Sequence, residues 1–258
     1  MLDVKFKLIP GHDDGGDWMA PSPLRTLFWN VTYACNFRCP VCFSQSGASA
    51  ADELSTKEAK ALIRQAHASG VKDIVLSGGE PFLRPDLLEL IVCMAGLGIT
   101  VRAASNGSLL TDDLLDRLKR ENLVRSFMIN LDSLDPAIYG RLHEGSEMGV
   151  DGALDAIRRI RERGFHTTVA ARLMPLTFPG IPAILDLAAR ERWHTVNCMI
   201  PLRAGRVQTL LWTPETDVLA EIEPIFEHFI TLPDHWRVEL YIPWAPYHPV
   251  VERLRGRV

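Results

Sequence analysis

Three cysteines, Cys35, Cys39 and Cys42, fall within the nine-residue run ACNFRCPVC. Thiolate is the ligand that iron-sulfur clusters require, and a tight C-x3-C-x2-C loop can offer three thiolates to one cubane 4Fe-4S cluster. The fourth iron then receives no cysteine from the loop. A closed structural site fills every position, whereas an open one invites a substrate or cofactor ligand. A structural zinc completed by His67 or His143 is the competing reading of the same spacing. Cys93 and Cys198 stand alone in the apolar runs LLELIVCMAG and VNCMI and read as buried thiols. A cubane normally wants four thiolates, so the expectation is a single cluster.

Further along, Gly78-Gly79-Glu80-Pro81 follows the apolar run KDIVLS. Glycines after a strand let backbone approach a ligand closely, and a neighbouring carboxylate can accept hydrogen bonds from an ammonium. By itself the motif also reads as a turn before the helical PDLLELI. Asn106-Gly107, preceded by Ser105, suits a left-handed turn in any protein. The histidines form no H-x-x-x-H pair; His143 and His194 lie near segments that could touch substrate, although a lone histidine is more often simply a satisfied structural residue.

Positioning these residues falls to alternating elements. Strands are expected over 26–32, 72–76, 100–104, 126–131, 166–173 and 195–200, rich in Val, Ile and Phe. Amphipathic helices separate them: Ser55-x-x-Glu58 is a capping box closed by Gly70, Thr111 opens TDDLLDRLKREN, and Gly98 and Gly164 end two more. Six βα units fall short of the eight that close a full barrel. The fold class is therefore α/β, a partial (β/α)6 TIM-like barrel with functional loops at the C-terminal ends of its strands. Residues 1–22 read as an irregular lead-in, 23–212 as the core and 213–258 as a short helix-strand extension.

The chain has 258 residues with 28 Lys plus Arg against 32 Asp plus Glu, a formal charge of −4. That balance lacks the basic footprint that nucleic acid or an anionic membrane calls for. No run approaches the roughly 20 apolar residues of a membrane helix, and the first residues lack a signal peptide's layout. With its clustered thiols, the chain is expected to be cytoplasmic.

CNFRCPVC, just after the first strand, resembles the radical SAM signature C-x3-C-x2-C, and GGEP is similar to that family's GGE motif. The resemblance implies that Cys35, Cys39 and Cys42 hold the 4Fe-4S cluster and that S-adenosylmethionine (SAM) chelates the open iron. Reductive cleavage of SAM to a 5′-deoxyadenosyl radical, which abstracts hydrogen from substrate, is the implied activity. It assigns Gly78, Gly79, Glu80 and Pro81 to the methionine amino group. Through a likeness of GGEPFLRPD to the molybdenum-cofactor cyclase branch, Arg84 falls to the SAM carboxylate; its competing reading is a solvated arginine near a helix start. Ser105-Asn106-Gly107 is similar to the family's T-N-G turn. MINLDSLD is like the V-S-L-D segment of the cyclase, peptide-maturase and haem-maturation branches, with Asn130 in place of the SAM-contacting serine and Asp132 as a contact or an organiser of neighbouring loops. Arg141, in YGRLHEG, is similar to an arginine segment of maturases, and VNCMIPLRAGR to one lining the adenine. Val41 stands where the family usually has an aromatic residue, with Phe43 next to the third cysteine.

Many relatives carry a cysteine-rich SPASM or twitch extension, yet no cysteine follows Cys198, so 213–258 reads either as the tail of a short member with one cluster or as a truncated auxiliary region. The resemblance implies a flavodoxin- or ferredoxin-type electron donor and a peptide or complex small-molecule precursor as substrate. Haem or molybdopterin-type cofactor maturation is the alternative within the class. A non-catalytic zinc or iron-sulfur protein is the rival outside it, favoured if the GGEP turn does not meet the cysteine loop.

Overall fold

The computed structural model describes residues 24–201, 204–206, 218–232 and 239–241. The strands are β1 (Thr26–Thr32), β2 (Asp73–Gly78), β3 (Thr100–Ser105), β4 (Ser126–Asn130), β5 (His166–Arg172), β6 (Thr195–Met199) and β7 (Glu239–Tyr241). Between them run α1 (Thr56–Ala68), α2 (Leu87–Gly96), α3 (Asp112–Arg120), α4 (Pro136–Leu142), α5 (Gly149–Glu162), α6 (Ile181–Glu191) and α7 (Val218–Thr231). Every strand pairs in parallel with its sequence neighbour, in the order β1 to β7. Among the described residues β1 and β7 do not pair, so the sheet is an open, partial barrel.

Local chemistry sets the helix starts. Ser55 and Glu58 exchange side-chain and backbone hydrogen bonds as a capping box, Thr111 accepts from the Leu114 N–H, and Asp135 caps α4 ahead of Pro136. At the end of α6 the left-handed turn is made by Arg192 at φ 54°, where the sequence offers no glycine.

Strand alternation divides the sheet into two faces. Trp29, Ile74, Leu76, Phe127, Ile129 and Val196 point outward into the helices and share one core with Ile63, Leu90, Leu115 and Ile157. Each fully buried aliphatic side chain contributes roughly 1.5–3 kcal/mol, which makes this layer the main support of the fold. The alternate positions face the concave side, among them Asn30, Met128, Asn130, Arg172 and Asn197, all partly exposed.

The expected strands match within two residues at each end. β2 runs on to Gly78, taking the first glycine of GGEP into the sheet. The extension supplies α7 and a seventh strand, β7, beside β6. The sequence places the helix of the extension near 214–230; residues 214–217, like the lead-in 1–22 and most of the tail after 232, lie outside the described residues.

Candidate cofactor site at the rim of the barrel

The cysteine loop leaves the C-terminal end of β1 and is closed by its own backbone. Cys35 N–H donates to Gly47 O (3.0 Å) and Gly47 N–H to Tyr33 O (2.8 Å). Glu53 holds the start of the loop by accepting from Thr32 Oγ1 (3.0 Å), Tyr33 N–H (2.7 Å) and Ala50 N–H (2.9 Å). All three thiols are free and half-buried. Phe37 N–H donates to Cys35 Sγ (3.4 Å), Cys42 Sγ lies 3.3 Å from Ser44 Oγ, and Cys39 Sγ lies 3.9 Å from His143 Nδ1.

Burial raises the pKa of Cys35 and takes Cys39 to about 11. At Cys42 burial acts the same way, but hydrogen bonds from Ser44 and the Ser46 backbone, together with the Arg206 charge, outweigh it and lower the pKa. Three free thiols on one loop form a donor set that fits a 4Fe-4S cluster, which spreads its thiolates over separate irons. A lone zinc instead needs its ligands on one point. Among the described residues no three His, Cys, Asp or Glu side chains converge in that way. His67 lies in the last turn of α1, at the end of the barrel where β2 begins, and not beside the loop.

The GGEP turn meets the cysteine loop backbone to backbone. Gly79 N–H donates to Thr32 O and Glu80 N–H to Ala34 O, both at 2.8 Å. A Cβ at Gly78 would sit 2.2 Å from Thr32 O and one at Gly79 2.1 Å from Ala34 O, so no side chain fits at either position. The rival favoured by separation of these two segments loses its support.

The Glu80 carboxylate is fully buried and points into the protein. It accepts from Ser105 Oγ (2.9 and 3.1 Å), Asn106 N–H (2.8 Å) and Phe82 N–H (3.2 Å). Burial pushes its pKa up to about 7 against the pull of those donors. Ser105 and Asn106 thus join the site through Glu80. Asn106 also receives a hydrogen bond from Ser108 N–H (2.9 Å) and donates to Asn36 in the cysteine loop (2.9 Å). Pro81 is buried and opens a short 3-10 turn.

Arg84 is a buried brace rather than a solvated arginine. Its guanidinium donates to Val31 O (2.7 Å), Leu54 O (2.8 Å) and both oxygens of Asp86 (2.7 and 3.1 Å).

Over β4 to β6 the site is held by charge. Asp132 is fully buried and accepts from Arg172 N–H (2.7 Å) and Arg172 Nε (3.0 Å), with Arg172 Nη2 and His143 Nε2 also against it, the latter at 2.9 Å. The Arg172 guanidinium holds its carboxyl far below the usual range against the upward push of burial. Asn130 lies half-buried at the end of β4, on the concave face. Val41 is buried with Leu142 and Met174, while Phe43 is 53% exposed. Arg141 is exposed on α4. His194 lies at the opposite end of the barrel, where its Nδ1 accepts from Thr167 N–H (3.1 Å) and its ring stacks on His166, a satisfied structural histidine and not a substrate contact. Cys198 is buried, its thiol pushed up to about 12 by burial.

Three residues of this assembly, Asn36, Arg172 and Arg206, are not singled out by the sequence: Asn36 and Arg206 lie inside the runs CNFRCPVC and VNCMIPLRAGR without a role of their own, and Arg172 has only its place at a strand end. Arg206 N–H donates to Cys42 O (3.0 Å) and its Nε to Cys39 O (2.8 Å), fastening the segment after β6 onto the cysteine loop.

Residues 29–188 match the family model described as the radical SAM superfamily. The chain belongs to that superfamily. The radical SAM core uses a 4Fe-4S cluster and SAM, and the donor set and glycine contacts above fit that pair. An AdoMet-dependent heme synthase of Methanosarcina barkeri is 31% identical over 240 residues, 90% of this chain and 65% of the relative. The PqqA peptide cyclase of Xanthomonas oryzae pv. oryzae is 30% identical over 170 residues, 66% of this chain and 45% of the relative. This chain thus spans about half to two thirds of the length of the curated relatives it matches. Streptococcus suis SuiB bound to its precursor peptide SuiA shares the fold with a TM-score of 0.74 at 16% identity, over 90% of this chain and 51% of that one.

Proposed function

We propose that this chain is a radical SAM enzyme that binds one 4Fe-4S cluster through Cys35, Cys39 and Cys42 and acts on a peptide precursor. When bound, the cluster and SAM supply one-electron cleavage of the sulfonium and a 5′-deoxyadenosyl radical that abstracts hydrogen. The observation that carries the reading is the backbone seam between the cysteine loop and GGEP, where Gly79 and Glu80 dock on Thr32 and Ala34. Gly78, Gly79, Glu80 and Pro81 face SAM as one turn. The Glu80 side chain braces that turn from behind, together with Ser105 and Asn106, while backbone carbonyls accept from the SAM ammonium. Asn130 offers an amide to SAM from the end of β4. Asp132 and Arg84 act one step back, by fixing Arg172 and the entry to α2.

The concave face supports a peptide. Asn30, Asn130 and Asn197 supply amide donors and acceptors suited to peptide groups, while the inward cations Arg102 and Arg172 already pair with Asp73 and Asp132. A polycarboxylate tetrapyrrole would call for free cations. Cofactor maturation is the second reading, favoured by the likeness to a haem synthase over 90% of the chain.

Residues 23–212 form the catalytic core and 213–258 an extension. The electron donor is an external flavodoxin- or ferredoxin-type protein, and the compartment is the reducing cytoplasm. No helix among the described residues is long and apolar enough to cross a membrane.

The test is anaerobic reconstitution followed by assay of 5′-deoxyadenosine with reductant and SAM, with and without candidate peptides and tetrapyrroles. Stimulation by a peptide supports the first reading and stimulation by a tetrapyrrole the second. Cleavage that survives loss of all three loop cysteines would sink both.

A further inference from the structure

Three guanidinium groups from three parts of the chain donate into carbonyls of the cysteine loop. Arg38, inside the loop, donates from Nη1 to Cys35 O and Phe37 O. Arg172, the last residue of β5, donates from Nη1 to Val41 O (3.5 Å). Arg206, after β6, donates from Nε to Cys39 O (2.8 Å) and from Nη1 to Ser46 O (2.9 Å). Among the described residues no acid pairs with Arg38 or Arg206, and Arg172 has Asp132.

Carbonyl oxygens alone do not require cations, because neutral donors satisfy them equally well. Arg38 is exposed, whereas Arg172 and Arg206 are partly buried, and partly buried positive charge costs desolvation unless negative charge offsets it. The Arg172 charge is offset by Asp132 and the buried Glu80 carboxyl sits behind the turn docked on the loop, so among the described residues Arg38 and Arg206 are the guanidinium groups on the loop without a carboxylate partner. Thiolates in the loop would offset those charges.

We propose that Arg38, Arg172 and Arg206 form a collar of positioning residues that offsets the thiolate charge of the cysteine loop and raises the reduction potential of the cluster it holds. Net charge and hydrogen bonding around the ligands are among the levers that set such potentials. Asp132 fixes Arg172, and the collar rests on the cluster reading of the loop given above.

The experiment is a dithionite titration with redox mediators, followed by electron paramagnetic resonance, on anaerobically reconstituted full-length chains. Arg38→Gln and Arg206→Gln retain a donor for the loop carbonyls and remove the charge; Arg38→Lys and Arg206→Lys retain the charge. Each Gln variant is expected to load wild-type iron and to shift the midpoint to more negative potential, with a larger shift in the double variant, while the Lys variants stay closer to wild type. Arg172→Gln leaves Asp132 buried without its cation, so it is made together with Asp132→Asn, and Arg38 and Arg206 decide the outcome. Unmoved midpoints at full iron loading would overturn the collar. So would loss of the cluster in the Gln variants that Lys fails to restore, because that pattern assigns the arginines to bracing alone. A wild-type chain that loads no cluster, or one that keeps it without Cys35, Cys39 and Cys42, would instead overturn the cluster reading.

Discussion

The rim over β1 to β3 and the rim over β4 to β6 are held together by different physics. On the first side, backbone lies on backbone: the glycines of GGEP press on Thr32 and Ala34, and the Asn36–Asn106 bond closes the seam. On the second side a buried ionic group, Asp132 with Arg172 and His143, takes the place of close backbone contact. The first arrangement tolerates no added atom, and the second tolerates no lost charge.

Removing the chemistry itself has the largest expected effect. Cys35→Ala, Cys39→Ala or Cys42→Ala should abolish both the brown colour of the reconstituted protein and the formation of 5′-deoxyadenosine, measured by absorbance and chromatography. On the ionic side, Asp132→Ala strands Arg172, and losing one partner of a buried pair costs about 3–5 kcal/mol. Urea unfolding would show it, and a loss under about 1 kcal/mol, the level of an exposed pair, would mean the pair is solvated.

Titration sharpens the contrast. Glu80, raised from 4.5 to about 7, contributes stability that is fully present below pH 4.5 and is lost as the pH rises through 7. At roughly 1.36 kcal/mol per unit the change is about 3 kcal/mol. Asp132, with its depressed carboxyl, behaves oppositely: its contribution is present above the ordinary aspartate pKa and is lost as the pH falls toward its folded value. Glu80→Gln should flatten the stability profile between pH 4.5 and 7, and an unchanged slope would assign the titration to another group.

On the backbone side, Gly79→Ala forces a Cβ against Ala34 O and should cost about 1–3 kcal/mol, with weaker SAM binding by calorimetry. The smallest effect belongs to Cys198→Ala. It deletes one buried sulfur, for a loss of about 1 kcal/mol, and iron content should not change.

The same division explains what the sequence made legible. The strands, the capping box at Ser55 and the cysteine and GGEP motifs are short-range patterns, readable within a few neighbouring residues. Glu80 was legible as a motif residue, but the direction of its side chain was not, because its partners Ser105 and Asn106 lie on the next strand's loop. Arg172 reaches Asp132 across 40 residues and Val41 across 131, and no local spacing announces such pairs. For His194 the two readings stayed open, because a histidine beside a strand reads the same at either end of it.

The order of the strands carries a consequence for how the molecule is made. Since each strand hydrogen-bonds to the one preceding it in the chain, every βα unit leaving the ribosome finds its docking edge already synthesised. Assembly can advance in one direction with only short excursions of chain between paired edges. Arg206 is made more than 160 residues after Cys42. The thiols therefore emerge well before their last clamp, so a cell that loads iron in that interval would be loading a looser loop than the one the finished barrel encloses.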